Sequence, residues 1–173
     1  MIYTLLREQF IPASLEEVWN FFSTPRNLNR MTPPDMAFRF VSGGDEPMYP
    51  GQLIQYRIAL FPGVRVPWLT QITHVEPGRL FVDEQRIGPY RLWIHEHRFQ
   101  RVERGVLMTD HVTYALPFSP VGDLLHPLLV RPRLEAIFNY RRQMVAELFG
   151  AGTQKAETPA HPAGQSDTIP EKI

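Results

Sequence analysis

The chain has 173 residues, 43% of them hydrophobic, and its 18 basic residues balance 18 acidic ones. A chain of this length fits one domain, and such a domain buries roughly two-thirds of the surface that the unfolded chain exposes. The balanced charge produces no overall field that would attract nucleic acid or an anionic membrane, so we expect neither as a partner. The chain has no cysteine, which excludes disulfides, thiolate zinc sites and cysteine nucleophiles.

The two ends of the chain differ in character. The N-terminal segment carries charges at Arg7 and Glu8 and has no apolar run long enough for a signal peptide. No uncharged stretch approaches the roughly 18 residues that a membrane span needs, so we predict a cytoplasmic protein without a transmembrane segment. From Ala151 the sequence is polar and lacks aromatic residues. We therefore predict one domain over residues 1–150 and a disordered tail over residues 151–173.

The first elements in chain order are a strand and two short helices. The segment Tyr3–Phe10 predicts a strand that ends before Pro12. Ser14 and Glu17 form a capping box, which indicates that a helix begins there. The next segment, Pro25–Met31, predicts a second short helix.

Period-two alternation then continues through most of the chain and indicates six strands separated by turns that contain glycine and proline. The predicted strands are Ala37–Ser42, Gln52–Leu60, Val66–Val75, Leu80–Ile87, Arg91–Val102 and Val106–Leu116. Helical periodicity returns after Pro132. The predicted helical stripe contains Leu134, Ile137, Phe138, Arg141, Val145 and Leu148. Pro127 and Pro132 should start or kink this helix.

This order of elements predicts an α+β helix-grip fold. Its seven-stranded, curved antiparallel sheet surrounds the long C-terminal helix, because an open sheet of this length cannot bury its own apolar face. We expect a cavity between the sheet and this helix.

Turn lengths predict which side chains face that cavity, because a register shift of one residue moves every side chain to the other face. The turn at Gly88-Pro89-Tyr90 places Asp83 opposite His95 and Phe81 opposite His97. The next turn places His97 opposite Asp110 or, shifted by two residues, opposite Val112. On the other flank, a turn that sets Val75 opposite Leu80 turns His74 inward with its neighbours Trp68, Thr70 and Ile72.

Two aspartates and two histidines on this face need partners, because a buried charge is costly unless it is paired. We expect Asp83 to pair with His95 and Asp110 to pair with His97. These pairs are interpreted as a polar network that orients a ligand, with proton transfer as an alternative. His95-x-His97 is also a two-histidine metal pattern. We expect no metal and no other cofactor, since both carboxylates are committed to the histidines.

Four arginines occupy the C-terminal helix or its start. Acidic residues on the same helix favour a solvated face for this cluster over a phosphate or membrane site. The cluster comprises Arg131, Arg133, Arg141 and Arg142.

These residues also carry a resemblance to the START-like ligand-binding superfamily (SRPBCC), which includes pollen-allergen-like proteins and polyketide cyclases. It covers about residues 1–150. The matching segments are Pro12-x-Ser14-x-x-x-Val18-Trp19 with Phe22, Asn27-Leu28, Gly51, Trp68 to Ile72, Phe81-x-Asp83, Gly88-Pro89, Trp93-x-His95-x-His97-x-Phe99 and Asp110-x-Val112-x-Tyr114. More narrowly, the chain resembles a bacterial branch labelled cell-division inhibitor-like. The resemblance implies a cavity for a lipid, polyketide or other apolar small molecule and does not imply a reaction.

Our functional expectation is therefore a protein that binds a small, largely apolar ligand of the lipid, polyketide or quinone class. The expected ligand-binding residues are Tyr56, Trp68, Thr70, Phe81, Asp83, Gln85, Trp93, His95, His97, Phe99, Asp110, Val112, Tyr114 and Phe138. The alternative is a cyclase- or dehydratase-like enzyme, in which His97 and Asp110 move a proton and Tyr114 or Gln85 polarises a carbonyl. A third possibility is an interaction module whose rim is formed by Ser42–Tyr49 and the Phe61-Pro62-Gly63 turn.

Overall fold

The structure, a computed structural model, describes residues 1–61, 64–118 and 120–153, and it describes the side chains of all of these except residues 60, 61 and 151–153. Within these residues the strands are β1 (Ile2–Ile11), β2 (Arg39–Ser42), β3 (Leu53–Phe61), β4 (Val64–Glu76), β5 (Leu80–Ile87), β6 (Leu92–Val102) and β7 (Gly105–Ala115). They form one antiparallel sheet in the order β1-β7-β6-β5-β4-β3-β2. The strand predictions are confirmed to within a few residues at each end.

The helices lie between β1 and β2 and after β7. Helix α1 (Leu15–Phe22) has the predicted capping box: the Glu17 backbone N–H donates to Ser14 Oγ at 3.2 Å, and the Ser14 N–H donates to the Glu17 carboxylate at 3.0 Å. Two 3-10 segments follow, Pro25–Met31 and Pro34–Met36. The C-terminal region comprises α2 (Val121–Leu125), a π-helical turn (His126–Val130) and α3 (Arg131–Thr153).

The C-terminal helix closes the concave face of the sheet. Leu134 and Phe138 of α3 belong to the same buried cluster as Val112 of β7 and Ile72 of β4. One end of the helix therefore lies over the centre of the sheet. Farther along, Val145 packs in a second cluster with residues of β1 and α1. This arrangement confirms the predicted α+β helix-grip fold.

The predicted registers of the central strands are confirmed. Asp83 lies opposite His95, and Phe81 lies opposite His97. Between β6 and β7 the structure takes the first of the two predicted registers, with His97 opposite Asp110. Alternate residues of these three strands therefore share the concave face.

The predicted position of His74 is wrong. An irregularity between Ile72 and His74 shifts the pairing, so that Val75 lies opposite Phe81 and His74 opposite Val82. Val75 packs against the core, while the His74 side chain is 53% exposed. A β-bulge adds one residue to one strand and reverses the inward and outward positions beyond it.

The C-terminal helix ends close to the predicted domain boundary, which stays a prediction. Helix α3 continues to Thr153, three residues beyond the predicted end of the domain at residue 150, and residues 154–173 of the predicted tail lie outside the described part of the chain. Among the described residues, no helix is both long enough and apolar enough to cross a membrane.

The second buried cluster generates a prediction about stability. Val106 of β7 is fully buried there, whereas Val41 of β2 is 53% exposed. Val106→Ala should lower the free energy of unfolding by about 2 kcal/mol, because it removes two buried methyl groups and leaves a void. Val41→Ala, the same change on an exposed strand position, should cost less than about 0.5 kcal/mol. Equal losses in urea denaturation would contradict the assignment of Val106 to the core.

Candidate functional site

A cavity of about 160 Å³ lies between the concave face of the sheet, the 3-10 segments and α3. Its wall is mostly aliphatic and aromatic, and it includes Leu28, Met36 and Ile137. The wall contains nine of the fourteen residues expected to bind a ligand. These are Tyr56, Trp68, Thr70, Phe81, Asp83, Trp93, His95, His97 and Phe138.

One wall of the cavity carries a compact polar cluster, which we call the Asp–His cluster: Asp83, His95, His97 and Asp110. His95 Nε2 donates to Asp110 Oδ1 at 2.9 Å, and His97 Nε2 donates to Asp83 Oδ2 at 3.0 Å. His97 Nδ1 also lies 2.9 Å from Asp110 Oδ1, but it is not aligned for a hydrogen bond. His95 Nδ1 lies 3.6 Å from Asp83 Oδ2.

The backbone pairing and the side-chain bonding of this cluster differ. Asp83 lies opposite His95 along the strands, and His97 opposite Asp110, as predicted. The aligned hydrogen bonds instead connect His95 to Asp110 and His97 to Asp83. Each imidazole therefore lies between two carboxylates, and the four groups form one network where the sequence analysis expected two separate pairs.

Burial and charge move the pKa values of the two histidines in opposite directions. Burial and the neighbouring charge of His97 lower the pKa of His95 to about 4. Burial acts in the same direction on His97, but Asp110 and Asp83 outweigh it and raise the pKa of His97 above 6.5. Hydrogen bonds from the histidines lower the pKa values of Asp83 and Asp110 despite their burial. These shifts favour ionised carboxylates, a protonated His97 and a neutral His95.

Arg141 joins this site although the sequence analysis placed it with a solvated arginine cluster. Its side chain is only 12% exposed, it lines the cavity, and Nη1 lies 3.7 Å from Asp110 Oδ1. Its guanidinium carbon lies 5.2 Å from the centre of the Phe138 ring. The signal was present in the sequence, because Arg141 occupies a position in the apolar helical stripe between Phe138 and Val145.

Gln85 and Tyr114 do not line the cavity. Gln85 Nε2 donates to the Tyr90 carbonyl at 2.7 Å, and the Tyr90 N–H donates to Gln85 Oε1 at 3.2 Å. Gln85 thereby fastens the turn between β5 and β6. The Tyr114 hydroxyl and His126 Nε2 share a hydrogen bond of 2.7 Å, which connects β7 to the π-helical turn. Neither group is placed to polarise a carbonyl in the cavity.

Three further predicted site residues lie behind the wall. Phe99 packs in the second buried cluster beside Trp19 and Phe22. Val112 is fully buried in the cluster under α3. Asp110 lies behind the two histidines and supports them by the contacts described above. These residues were correctly predicted to face inward, but part of the inward face is filled core.

A second polar group lies elsewhere in the wall. Thr70 Oγ1 accepts a hydrogen bond from Trp68 Nε1 at 3.1 Å and lies 3.1 Å from the Tyr56 hydroxyl. The Trp68 and Trp93 rings meet nearly at right angles, with their centres 5.5 Å apart. This part of the wall therefore consists of aromatic surfaces whose polar atoms are largely satisfied.

Asp83, His95 and His97 also have the composition of a metal site. One potential ligand atom from each lies within 4.8 Å of the others, and two histidines with one carboxylate suit several divalent transition metals. Against this arrangement, His97 Nε2 is hydrogen-bonded to Asp83, and the positive charge of Arg141 lies beside Asp110. The expectation that no metal binds remains a prediction.

Exposed apolar side chains concentrate at the start of the C-terminal region. Phe118, Leu124 and Leu128 are 85%, 74% and 71% exposed. A second depression of about 340 Å³ lies on this side, and among the residues that line it is Tyr90. The rim proposed for an interaction module lies elsewhere, and residues 62 and 63 of that rim are outside the described part of the chain.

The opposite pKa shifts of the two histidines can be tested by NMR. His97 should titrate above pH 6.5, while His95 should remain neutral at pH 5.5. His97→Gln should raise the pKa of His95, because it removes the neighbouring positive charge. His74→Gln removes an exposed imidazole and should leave both titrations unchanged. Two rings that titrate together near pH 6.5 would contradict this assignment.

Comparison with known proteins supports the fold and leaves the activity open. No protein-family model matches the chain, and no curated protein matches it. Among solved structures, protein Ms6760 from Mycobacterium smegmatis is 20% identical with a TM-score of 0.63, and the match covers 86% of this chain and 92% of that chain.

Two enzymes with related structures are also similar. The di-domain ARO/CYC StfQ from the steffimycin biosynthetic pathway has a TM-score of 0.69 at 12% identity, and the match covers 89% of this chain and 52% of that one. A point mutant of norcoclaurine synthase from Thalictrum, in complex with a transition-state analogue, has a TM-score of 0.60 at 14% identity, with 85% and 96% covered. The predicted START-like resemblance is thereby confirmed at the level of the fold, and the narrower bacterial branch is not tested by these similarities.

Proposed function

We propose that this protein binds a small, largely apolar ligand in the cavity between the sheet and α3, with the polar end of the ligand directed at the Asp–His cluster. The observation that carries this proposal is the cavity itself, whose mostly apolar wall has its ionisable groups gathered on one side. Ligand sites typically combine an apolar lining with a few convergent polar groups. The norcoclaurine synthase of similar fold is in complex with a transition-state analogue, which supports a small-molecule ligand for this fold.

The size of the cavity narrows the ligand class. An engineered protein cavity of about 150 Å³ holds a benzene molecule, and the cavity here is about 160 Å³. Sites for drug-sized ligands are roughly 300 Å³ or larger. In this conformation the cavity therefore suits one or two fused rings better than a long acyl chain.

The aromatic wall supports a flat ligand. Trp68, Trp93 and Tyr56 line the cavity, and aromatic rings pack favourably in offset or edge-to-face arrangements. A planar ring between these side chains and Phe138 would be enclosed by the sheet on one side and α3 on the other. Among the expected ligand classes, quinones and small polyketides with one or two rings fit this description.

An enzymatic role is the second candidate, and one observation favours it. His97, the predicted proton-transfer residue, has both ring nitrogens within 3.0 Å of carboxylate oxygens. His95 donates through Nε2 to Asp110, so its Nδ1 carries the lone pair and is too far from Asp83, at 3.6 Å, for a hydrogen bond. In the enzymatic alternative, His95 accepts a proton from a bound ligand and takes the place that the sequence analysis gave to His97.

The binding proposal can be tested by filling the cavity. In the wild-type protein, titration with 2-naphthol should shift the indole N–H resonances of Trp68 and Trp93. Ile137→Trp enlarges a side chain of the cavity wall and should weaken this binding by more than about tenfold. Ile87→Trp makes the same change at a position that is 55% exposed and should bind like wild type. If Ile137→Trp bound 2-naphthol as tightly as wild type, the probe would bind outside the cavity, and the proposed site would be refuted.

The enzymatic alternative predicts proton exchange. A ketone of the right size, 2-tetralone, loses a proton from the carbon next to its carbonyl when a base accepts it, and deuterium returns from D₂O. Wild-type protein should accelerate this exchange by about tenfold over buffer, a modest effect because His95 is a weak base. His95→Gln should abolish the acceleration, and the exposed-site control His74→Gln should retain it. Equal rates in all three proteins would exclude His95 as a base.

A further inference from the structure

Arg141 presents a buried positive charge whose hydrogen bonds are incomplete. Its Nε and Nη1 atoms are enclosed and have no hydrogen-bond partner. A buried donor without an acceptor is destabilising, and the penalty is larger for a charged group. An arginine with two such donors beside a cavity is therefore unusual enough to require an explanation.

The nearest carboxylates do not supply the missing acceptors. Asp110 Oδ1 already accepts a hydrogen bond from His95 Nε2 and lies 2.9 Å from His97 Nδ1. Arg141 Nη1 lies farther from the same oxygen, at 3.7 Å. Asp83 Oδ2 accepts from His97 Nε2. The two histidines therefore occupy these carboxylate oxygens, and a fork-like pairing between Arg141 and Asp110 does not form.

A purely electrostatic role for Arg141 explains only part of this arrangement. When His97 is protonated, the two ionised aspartates, His97 and Arg141 sum to zero charge, and Arg141 then balances the Asp–His cluster. Its charge also acts to lower the pKa values of Asp83 and Tyr56, which places it within electrostatic reach of both. Any nearby cation would balance the charge. The unpaired N–H groups of Arg141 are therefore not explained by its charge alone.

We propose that Arg141 binds the anionic end of the ligand, and that this ligand is a small planar ring system that carries a carboxylate. The inference rests on the proposed function and specifies its ligand class. A carboxylate offers two oxygens in the geometry that a guanidinium pairs with side by side. Because Nε and Nη1 are enclosed by the protein, the guanidinium has to turn toward the cavity to pair with the anion.

The surroundings of Arg141 favour a carboxylate over a more highly charged anion. Asp83 lies in the same wall and Asp110 lies behind it, and the repulsion between these carboxylates and the ligand increases with the negative charge of the ligand. Phe138, one helical turn before Arg141, lies on the cavity wall with its ring 5.2 Å from the guanidinium carbon. A ring that packs against Phe138 can therefore direct a carboxylate substituent at Arg141.

Two probes of equal shape separate charge recognition from apolar binding. The anion 2-naphthoate and the neutral molecule 2-nitronaphthalene share a fused ring and a planar three-atom substituent, but they differ in charge. Arg141→Gln should weaken 2-naphthoate binding by about 10- to 100-fold and change 2-nitronaphthalene binding by less than about twofold. Arg142→Gln alters the next, exposed arginine of α3 and should leave both affinities unchanged. The affinities can be measured by protein-detected NMR titration at physiological salt.

The outcomes distinguish this inference from the proposed function. If wild-type protein binds neither probe, the proposed function fails. If Arg141→Gln lowers the affinity for both probes equally, Arg141 has only a structural role in the cavity wall. The inference that Arg141 binds an anion then fails, while the proposed site survives. Should Arg141→Gln not fold, the Arg141 Nε–H resonance of the wild-type protein provides the test. It should shift on addition of 2-naphthoate and not on addition of 2-nitronaphthalene, and the same response to both would overturn the proposal.

Discussion

The arrangement of the site depends on the register of three neighbouring strands. Because His97 lies opposite Asp110 and His95 opposite Asp83, two carboxylates and two imidazoles meet on one face, where each charge finds a partner. A shift of one residue in either pairing would turn one strand's ionisable groups to the outer face and leave the others buried without partners. The Asp–His cluster therefore links the polarity of the cavity wall to the correct assembly of the sheet.

The sequence was sufficient to predict most of the fold, because the signals that define it are local. The capping box at Ser14, the turn at Gly88-Pro89 and the helical stripe that includes Phe138 each have a physical meaning within a few residues. The position of His74 could not be predicted, because a β-bulge depends on how two strands pair and leaves no clear mark in the alternation of either strand. The register of β6 and β7 was narrowed to two possibilities and resolved only by the structure.

The candidate site was predicted less completely than the fold. Alternation identifies inward residues, but it cannot distinguish a cavity wall from filled core, so Phe99 and Val112 were included with residues that do line the cavity. Hydrogen bonding within the Asp–His cluster depends on ring orientation, which strand register does not determine. The solvated position predicted for Arg141 is wrong, because its place within the apolar stripe of α3 buries it. A charged residue in such a stripe is a stronger indication of a functional role than its neighbours on the solvent side.

The energetics of the cluster support a role beyond folding. Buried ion pairs contribute little net stability and are often replaced by apolar side chains without loss, since desolvation offsets their attraction. The group formed by Asp83, Asp110, His97 and Arg141 is therefore a costly way to stabilise a sheet whose core is mostly aliphatic and aromatic. When His97 is protonated these charges sum to zero, and the unpaired N–H groups of Arg141 favour a ligand that brings its own acceptors. Such a site selects the polar end of a ligand by hydrogen bonding and selects the apolar part of the ligand by size.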